Sequence, residues 1–79
     1  MNFNIKFINL KNNYISNWKL VLQSGIIKYA CSCRKAILNN KIKINNILIT
    51  DPDAYTDVSS PTKVEFIDRC SIIVQKKNL

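Results

Sequence analysis

The stretch that decides the fold is residues 25–52, GIIKYACSCRKAILNNKIKINNILITDP, where the spacing of apolar residues changes at positions 39–40. Before that point the spacing is helical, and one face carries Ala30, Cys33, Ala36 and Ile37, with Arg34, Lys35 and Leu38 elsewhere on the helix. After it, residues 41–44 alternate lysine with isoleucine, and the two asparagines at 45–46 tolerate the positive φ of a tight hairpin turn. The stretch therefore predicts a basic helix that leads into a β-hairpin.

The same stretch resembles the S-four domain, a small RNA-binding module of the fourth small-subunit ribosomal protein, bacterial tyrosyl-tRNA synthetases and pseudouridine synthases. The resemblance covers roughly residues 18–74. It rests on a glycine that ends the first helix, on small, basic and aliphatic residues in the second helix, and on the hairpin and its exit. In this sequence these positions are Gly25, Cys33, Arg34, Ile37, residues 40–46 and residues 49–52.

The sequence departs from the family pattern at a few positions. Asn40 and Asn46 stand where the family usually has glycine, and asparagine is the next best residue at positive φ. Tyr29 stands where a serine or threonine commonly caps the second helix. Residues 53–61 form a somewhat longer connection than is usual. None of these departures removes a basic residue.

The resemblance implies an α+β fold, in which a short helix pair packs on a small, mostly antiparallel sheet. It also implies structured RNA, most of all ribosomal RNA, as the ligand, with the second helix and the adjoining hairpin facing it. The basic residues would contact phosphates, Arg34 through its bidentate guanidinium, and Tyr29 would either stack on an unpaired base or cap the core. Carried onto this sequence, the RNA-binding residues are Lys28, Tyr29, Arg34, Lys35, Lys41 and Lys43.

Positive charge is concentrated in the first fifty residues. Residues 1–50 carry seven lysines, one arginine and no acid, a charge of +8, whereas residues 51–79 carry four basic and five acidic residues, a charge of −1. A one-sided basic half is typical of a protein with a polyanionic partner, and charge that only solvates the surface is the alternative. Because the composition is rich in Asn, Ile and Lys, as in proteins of AT-rich genomes, the position of a lysine is more informative than its presence.

The remainder of the chain predicts further short elements. Residues 1–15 are interpreted as an N-terminal strand and its connection: residues 1–10 form the strand, with Phe3, Ile5 and Phe7 on one side, and residues 11–14 form the polar connection. This extra strand would cover a sheet edge or dock on a partner. Residues 16–79 form the S-four-like domain. Its later strands are predicted at residues 47–49, 63–67 and 71–75, with turns at 51–53, 59–61 and 68–69.

The first helix of that domain is predicted to begin after Ser16, whose hydroxyl would cap it, and to end at Gly25, the only glycine. Trp18, Val21 and Leu22 share one face of this helix. We therefore interpret Trp18 as a core residue rather than as a platform for base stacking.

The residue types argue against an enzyme, a cofactor and a metal site. The chain has no histidine, and its five carboxylates are scattered through turns and strand edges, so no acid/base pair is predicted. Cys31 and Cys33 are two apart on a helix and point about 200° from each other, so with Cys70 they do not make a zinc site. Cys33 is interpreted as a small core residue. Three cysteines without a secretory segment favour a reducing compartment, and no apolar stretch is long enough to span a membrane.

Two kinds of function remain. The first is a stand-alone module for structured RNA. We interpret it as a component of an unusual ribosome, either organellar (mitochondrial) or cytoplasmic, in contact with other ribosomal proteins, with a ribosome- or tRNA-associated factor that exchanges as the alternative. The second is a protein-binding adaptor that uses the N-terminal strand by β-augmentation. Salt separates the two, since RNA binding weakens steeply with salt and strand addition does not. Neither function involves a small-molecule substrate or a membrane.

Overall fold

The structure is a computed structural model that describes residues 4–77. Within these residues two helices and seven short strands follow one another. Their order is β1 (Ile5–Ile8), β2 (Tyr14–Ser16), α1 (Asn17–Ser24), α2 (Ala30–Leu38), β3 (Ile42–Ile44), β4 (Ile47–Leu48), β5 (Tyr55–Asp57), β6 (Thr62–Phe66) and β7 (Cys70–Lys76). The predicted α+β class is confirmed, as are the helix pair and the hairpin that follows it.

The larger sheet has five strands in the order β1-β7-β6-β3-β4. All neighbours in it are antiparallel except β1 and β7, which are parallel, so the sheet is mostly antiparallel as predicted. A second, two-stranded sheet pairs β2 with β5. The sequence does not predict this second sheet, and Tyr14 was expected in a polar connection. Strands of three residues show too little alternation to be recognised from the sequence.

The N-terminal strand is part of the larger sheet. Ile5 lies opposite Ile73, and Phe7 lies opposite Gln75. Ile8 is buried and, together with Ile15 of β2, belongs to the same core as the buried residues of both helices and of β3, β6 and β7. Phe3, which was predicted on the same side of the strand as Ile5 and Phe7, lies outside the described residues.

The core contains buried residues from both helices and from the inner face of the larger sheet. Every residue that fills its centre is aliphatic or small: Leu20, Val21, Cys33, Ile37, Ile42, Ile44, Val64 and Val74. Trp18 and Leu22 are half-buried and pack against this cluster, as predicted. Ala30 was expected on the buried face of α2 but is exposed, because it is the first residue of that helix and lies a turn before Cys33.

Asparagine and glycine occupy the backbone positions that need positive φ. Gly25 ends α1 with φ 81°, while Asn40 and Asn46 have φ 59° and 68°, so both asparagines adopt the positive φ that was expected of them. Asn45 has φ 51°, so both residues of the β3–β4 turn are left-handed. This is the geometry of a tight two-residue hairpin.

The start of α1 is capped differently from the prediction. Ser16 has the extended backbone of a cap residue, but its hydroxyl makes no cap hydrogen bond and is buried without a partner among residues 4–77. Instead, the backbone N–H of Asn17 donates to the carbonyl of Ala54 at 2.8 Å, and that of Trp18 donates to the carbonyl of Pro52 at 3.0 Å. The helix therefore begins after Ser16 as predicted, but the loop before β5 caps it, and the predicted cap by the Ser16 hydroxyl is wrong.

Candidate nucleic-acid interface

Backbone hydrogen bonds at the end of α2 fix the position of Lys41 relative to Lys35. The N–H of Asn39 donates to the carbonyl of Lys35 at 2.9 Å, and the N–H of Lys41 donates to the carbonyl of Ala36 at 3.0 Å. The positive φ of Asn40 turns the chain between them. Lys35 and Lys41 are therefore held within about one helical turn of each other, at the helix end where the macrodipole favours cations.

The hairpin carries the next lysine on the opposite side from the core. Ile42 and Ile44 are buried, so the alternation of the strand directs Lys43 to the outer face, as predicted. Lys43 is half-buried there, with Leu48 opposite it on β4 and Glu65 opposite it on β6. The nearby carboxylate of Glu65 reduces the positive potential at Lys43.

Lys63, which is not among the six predicted RNA-binding residues, also lies on this outer face. Its backbone N–H donates to Oδ1 of Asn45 at 2.9 Å, and its Nζ lies 3.4 Å from Oδ1 of Asn46 and 3.9 Å from Oε1 of Glu65. The alternation of residues 63–67 does direct Lys63 outward, but only the pairing of β3 with β6 places it beside the hairpin. We call Lys35, Lys41, Lys43 and Lys63 the hairpin cation group.

Arg34 is engaged within the chain. Its Nη1 lies 3.0 Å from Oδ1 of Asp53, and its guanidinium carbon lies 4.9 Å from the centre of the Trp18 ring. Asp53 is held in turn, because its N–H donates to Oδ1 of Asp51 at 2.9 Å. The Arg34 guanidinium, which was expected to bind phosphate, instead contacts Trp18 of α1 and pairs with Asp53 in the loop that caps α1. Even so, 42% of the Arg34 side chain is exposed.

Lys28 and Tyr29 lie at the other end of α2, in the connection from α1. Both are exposed, and Tyr29 has 72% of its surface open to solvent. Tyr29 precedes the helix with extended backbone, and its carbonyl accepts the N–H of Cys33 at 3.0 Å. So exposed a ring does not cap the core. Six residues along the helix separate Tyr29 from Lys35, a rise of about 9 Å.

Of the six predicted residues, backbone hydrogen bonds bring two close together, Lys35 and Lys41, and Lys43 follows Lys41 two residues later on the outer face of the sheet. Lys28 and Tyr29 lie just before the start of α2, and Arg34 is turned towards Asp53. The ion pairs found among residues 4–77 are Arg34–Asp53 and Lys63–Glu65. In this part of the chain neither Lys35 nor Lys41 has an ion-pair partner, so their charges remain available to a ligand.

The cysteines differ in exposure. Cys33 is buried in the core, as predicted, and burial raises the pKa of its thiol. Cys31 and Cys70 are exposed. Across residues 4–77, no three cysteine, aspartate or glutamate side chains come together as a metal site would require. Neither helix in the same range is long and apolar enough to cross a membrane.

A scan against models of known protein families and a search of curated proteins both find no match to this chain. The likeness to the S-four domain therefore depends on the motif residues quoted above.

Proposed function

We propose that this chain binds structured RNA through the hairpin cation group, with Lys28 and Tyr29 as a second point of contact at the other end of α2. The observation that carries the proposal is the junction of α2 and β3. There, backbone hydrogen bonds hold Lys35 and Lys41 close together, and neither has an ion-pair partner among residues 4–77.

A polyanion is the partner that this arrangement favours. Lysines held on a firm backbone attract phosphate without losing much conformational freedom on binding, and each contact releases a condensed counterion. The surrounding half of the chain adds to the attraction, since residues 1–50 contain no acid. A carboxylate ligand would be attracted as well, but only a polyanion engages cations at both ends of α2 at once.

Structured RNA is preferred to DNA because of the resemblance. In the S-four domain a helix pair followed by a hairpin binds RNA, and α1, α2, β3 and β4 occur here in that order. Double-stranded RNA is recognised mainly by its shape and by phosphate and 2′-hydroxyl contacts. A rigid row of lysines with an exposed tyrosine at its far end is suited to that mode of recognition.

We infer that the ligand is ribosomal RNA. We propose that the chain is a component of an organellar ribosome, that of the mitochondrion. The support is the resemblance, the basic half of the chain and three free cysteines, which suit a reducing compartment. A ribosome- or tRNA-associated factor that exchanges would use the same surface.

Ultraviolet crosslinking in the native cell, followed by sequencing of the bound RNA, tests the proposal. We expect reads concentrated in one or a few structured segments of ribosomal RNA, and their loss when Lys35, Lys41 and Lys43 are all changed to glutamine. An RNA yield no higher than that of a non-binding control protein would contradict RNA binding, whereas transfer RNA reads would contradict only the ribosomal setting.

A further inference from the structure

Among residues 4–77, no strand pairs with the outer edge of the N-terminal strand β1, and we call this edge the open edge. Strand β1 is the terminal strand in the order β1-β7-β6-β3-β4. On its paired side, the carbonyl of Asn4 accepts the N–H of Ile73 at 3.0 Å, and the carbonyl of Ile8 accepts that of Lys77 at 2.8 Å. Successive residues of a strand direct their backbone groups to opposite sides. The N–H and C=O groups of Ile5 and Phe7 therefore point away from β7, towards the open edge.

The same two residues present apolar side chains on the outer face of the sheet. Ile5 is 48% exposed and Phe7 is 51% exposed, whereas the next residue, Ile8, is buried on the inner face. Ile5 lies beside the half-buried Ile73 of β7. Strand β1 therefore has both outward-facing backbone groups and an apolar strip formed by Ile5 and Phe7. A ligand that adds as a strand uses both, because backbone hydrogen bonds give affinity and side-chain contacts give specificity.

Charge around this edge indicates the kind of ligand. Lys6 lies between Ile5 and Phe7 on β1, and Lys77 follows β7 beside the end of β1; both are exposed. In the described part of β1 and β7, residues 5–8 and 70–76, there is no acidic residue. Two copies of a chain with net charge +7 would repel each other, so a second copy of this chain is disfavoured. An RNA would leave the apolar strip and the edge hydrogen-bonding groups unused.

We propose that the open edge of β1 binds an extended, acidic segment of a partner protein, which adds to the larger sheet as a sixth strand. Its apolar side chains pack against Ile5 and Phe7, and its alternating carboxylates lie on the opposite face, near Lys6, with the charge of Lys77 adding to the positive potential. This surface is separate from the hairpin cation group, because β7 and β6 lie between β1 and β3. The proposal is therefore independent of RNA binding.

The experiment uses a capped peptide that alternates glutamate with valine over about eight residues, titrated into the full chain by calorimetry. Phe7→Pro removes the outward N–H together with the ring, whereas Phe7→Ser removes the ring and keeps the N–H. Because the backbone groups of Phe7 point away from β7, both variants should fold, and proline is tolerated at such positions on edge strands. Tyr55→Ser, an equally drastic loss of an exposed ring on β5, is the matched control.

We expect the peptide to bind wild type and Tyr55→Ser alike, to bind Phe7→Ser at least tenfold more weakly, and to bind Phe7→Pro more weakly still. A peptide with lysine in place of glutamate should not bind. Equal binding to all four proteins, or no binding to wild type, would overturn the proposal. So would a loss of RNA affinity in Phe7→Ser, since that result would place RNA on this edge. If Phe7→Pro does not fold, the affinity of the peptide for Phe7→Ser alone tests the proposal.

Discussion

The guanidinium of Arg34 on α2 lies 3.0 Å from the carboxylate of Asp53 in the loop before β5. The same loop accepts the first backbone N–H groups of α1, and the guanidinium carbon of Arg34 lies 4.9 Å from the centre of the Trp18 ring on α1. One side chain therefore links both helices to the loop that caps the first of them. This contact explains how Arg34 can be a motif residue and still have a structural role.

Replacing Arg34 should lower stability. An exposed ion pair contributes about 0.2–1 kcal/mol and an exposed cation–π contact about 0.5–1 kcal/mol, so Arg34→Ala should cost on the order of 1 kcal/mol. In a domain of this size that corresponds to a fall of roughly 4–8 °C in Tm. Arg34→Lys should recover part of the loss, because it keeps the charge but stacks less well. Thermal unfolding at low salt measures this, and an unchanged Tm in Arg34→Ala would show that the contact does not stabilise the fold.

Releasing Arg34 from Asp53 should strengthen RNA binding. Asp53→Asn removes a negative charge beside α2 and frees the guanidinium for phosphate, so we expect tighter binding and a salt slope steeper by about 0.7–0.9 for one added contact. Asp68→Asn, which removes the same charge in the β6–β7 turn, is the matched control. If both variants bind RNA equally, Arg34 stays in its structural role in the complex.

Ile37 should be the more sensitive of two neighbouring aliphatic residues at the end of α2. Ile37 is fully buried, and its truncation to alanine should cost about 2–5 kcal/mol through lost burial and the cavity left behind. Leu38, the next residue, is 62% exposed, so Leu38→Ala should change stability by under about 0.5 kcal/mol. Denaturant midpoints of the two variants check this. Similar midpoints would mean that α2 is rotated relative to the core.

Acid should destabilise the turn after β5. The backbone N–H of Ser59 donates to Oδ1 of Asp57 at 2.8 Å, and this hydrogen bond lowers the pKa of Asp57 below its ordinary value. A carboxyl group with a lower pKa in the folded state stabilises the fold above its unfolded pKa, and the contribution disappears as pH falls through the folded pKa. Stability between pH 5 and 2 should therefore decrease less steeply in Asp57→Asn than in wild type, with Asp68→Asn as the comparison for losing one carboxylate. Equal slopes in wild type and Asp57→Asn would contradict this.

The spacing of apolar residues and the turn residues predicted those parts of the fold that depend on residues close together in the sequence. The buried face of α2 through Cys33 and Ile37, the alternation of the hairpin and the left-handed asparagines at 40 and 46 each follow from neighbouring residues. The β2–β5 sheet and the capping of α1 by residues 52–54 could not be predicted in this way, because each depends on a contact across more than thirty residues.

The same distinction applies to the candidate site: features that depend on neighbouring residues were predicted, and features that depend on distant contacts were not. Lys41 and Lys43 were predicted to face outward from a period-two pattern, and Lys41 is exposed while Lys43 is half-buried on the outer face. The pairing of Arg34 with Asp53 was not predicted, because nothing in the sequence indicates which of five acids meets it. Lys63 was missed for a related reason: only the β3–β6 pairing places it next to the hairpin.

The most direct test of RNA binding by the hairpin cation group compares two triple variants that lose the same charge. Lys35, Lys41 and Lys43 are changed to glutamine in one, and Lys6, Lys19 and Lys77 in the other. Affinity for a fluorescent RNA stem-loop is measured across several salt concentrations, with thermal unfolding of each protein alongside. The account predicts that the first variant loses roughly 2–3 from the slope of log affinity against log salt, while the second binds almost like wild type. If both folded variants lose the same amount of RNA affinity, the proposal is contradicted, because binding would then depend on the net charge of the protein and not on the hairpin cation group.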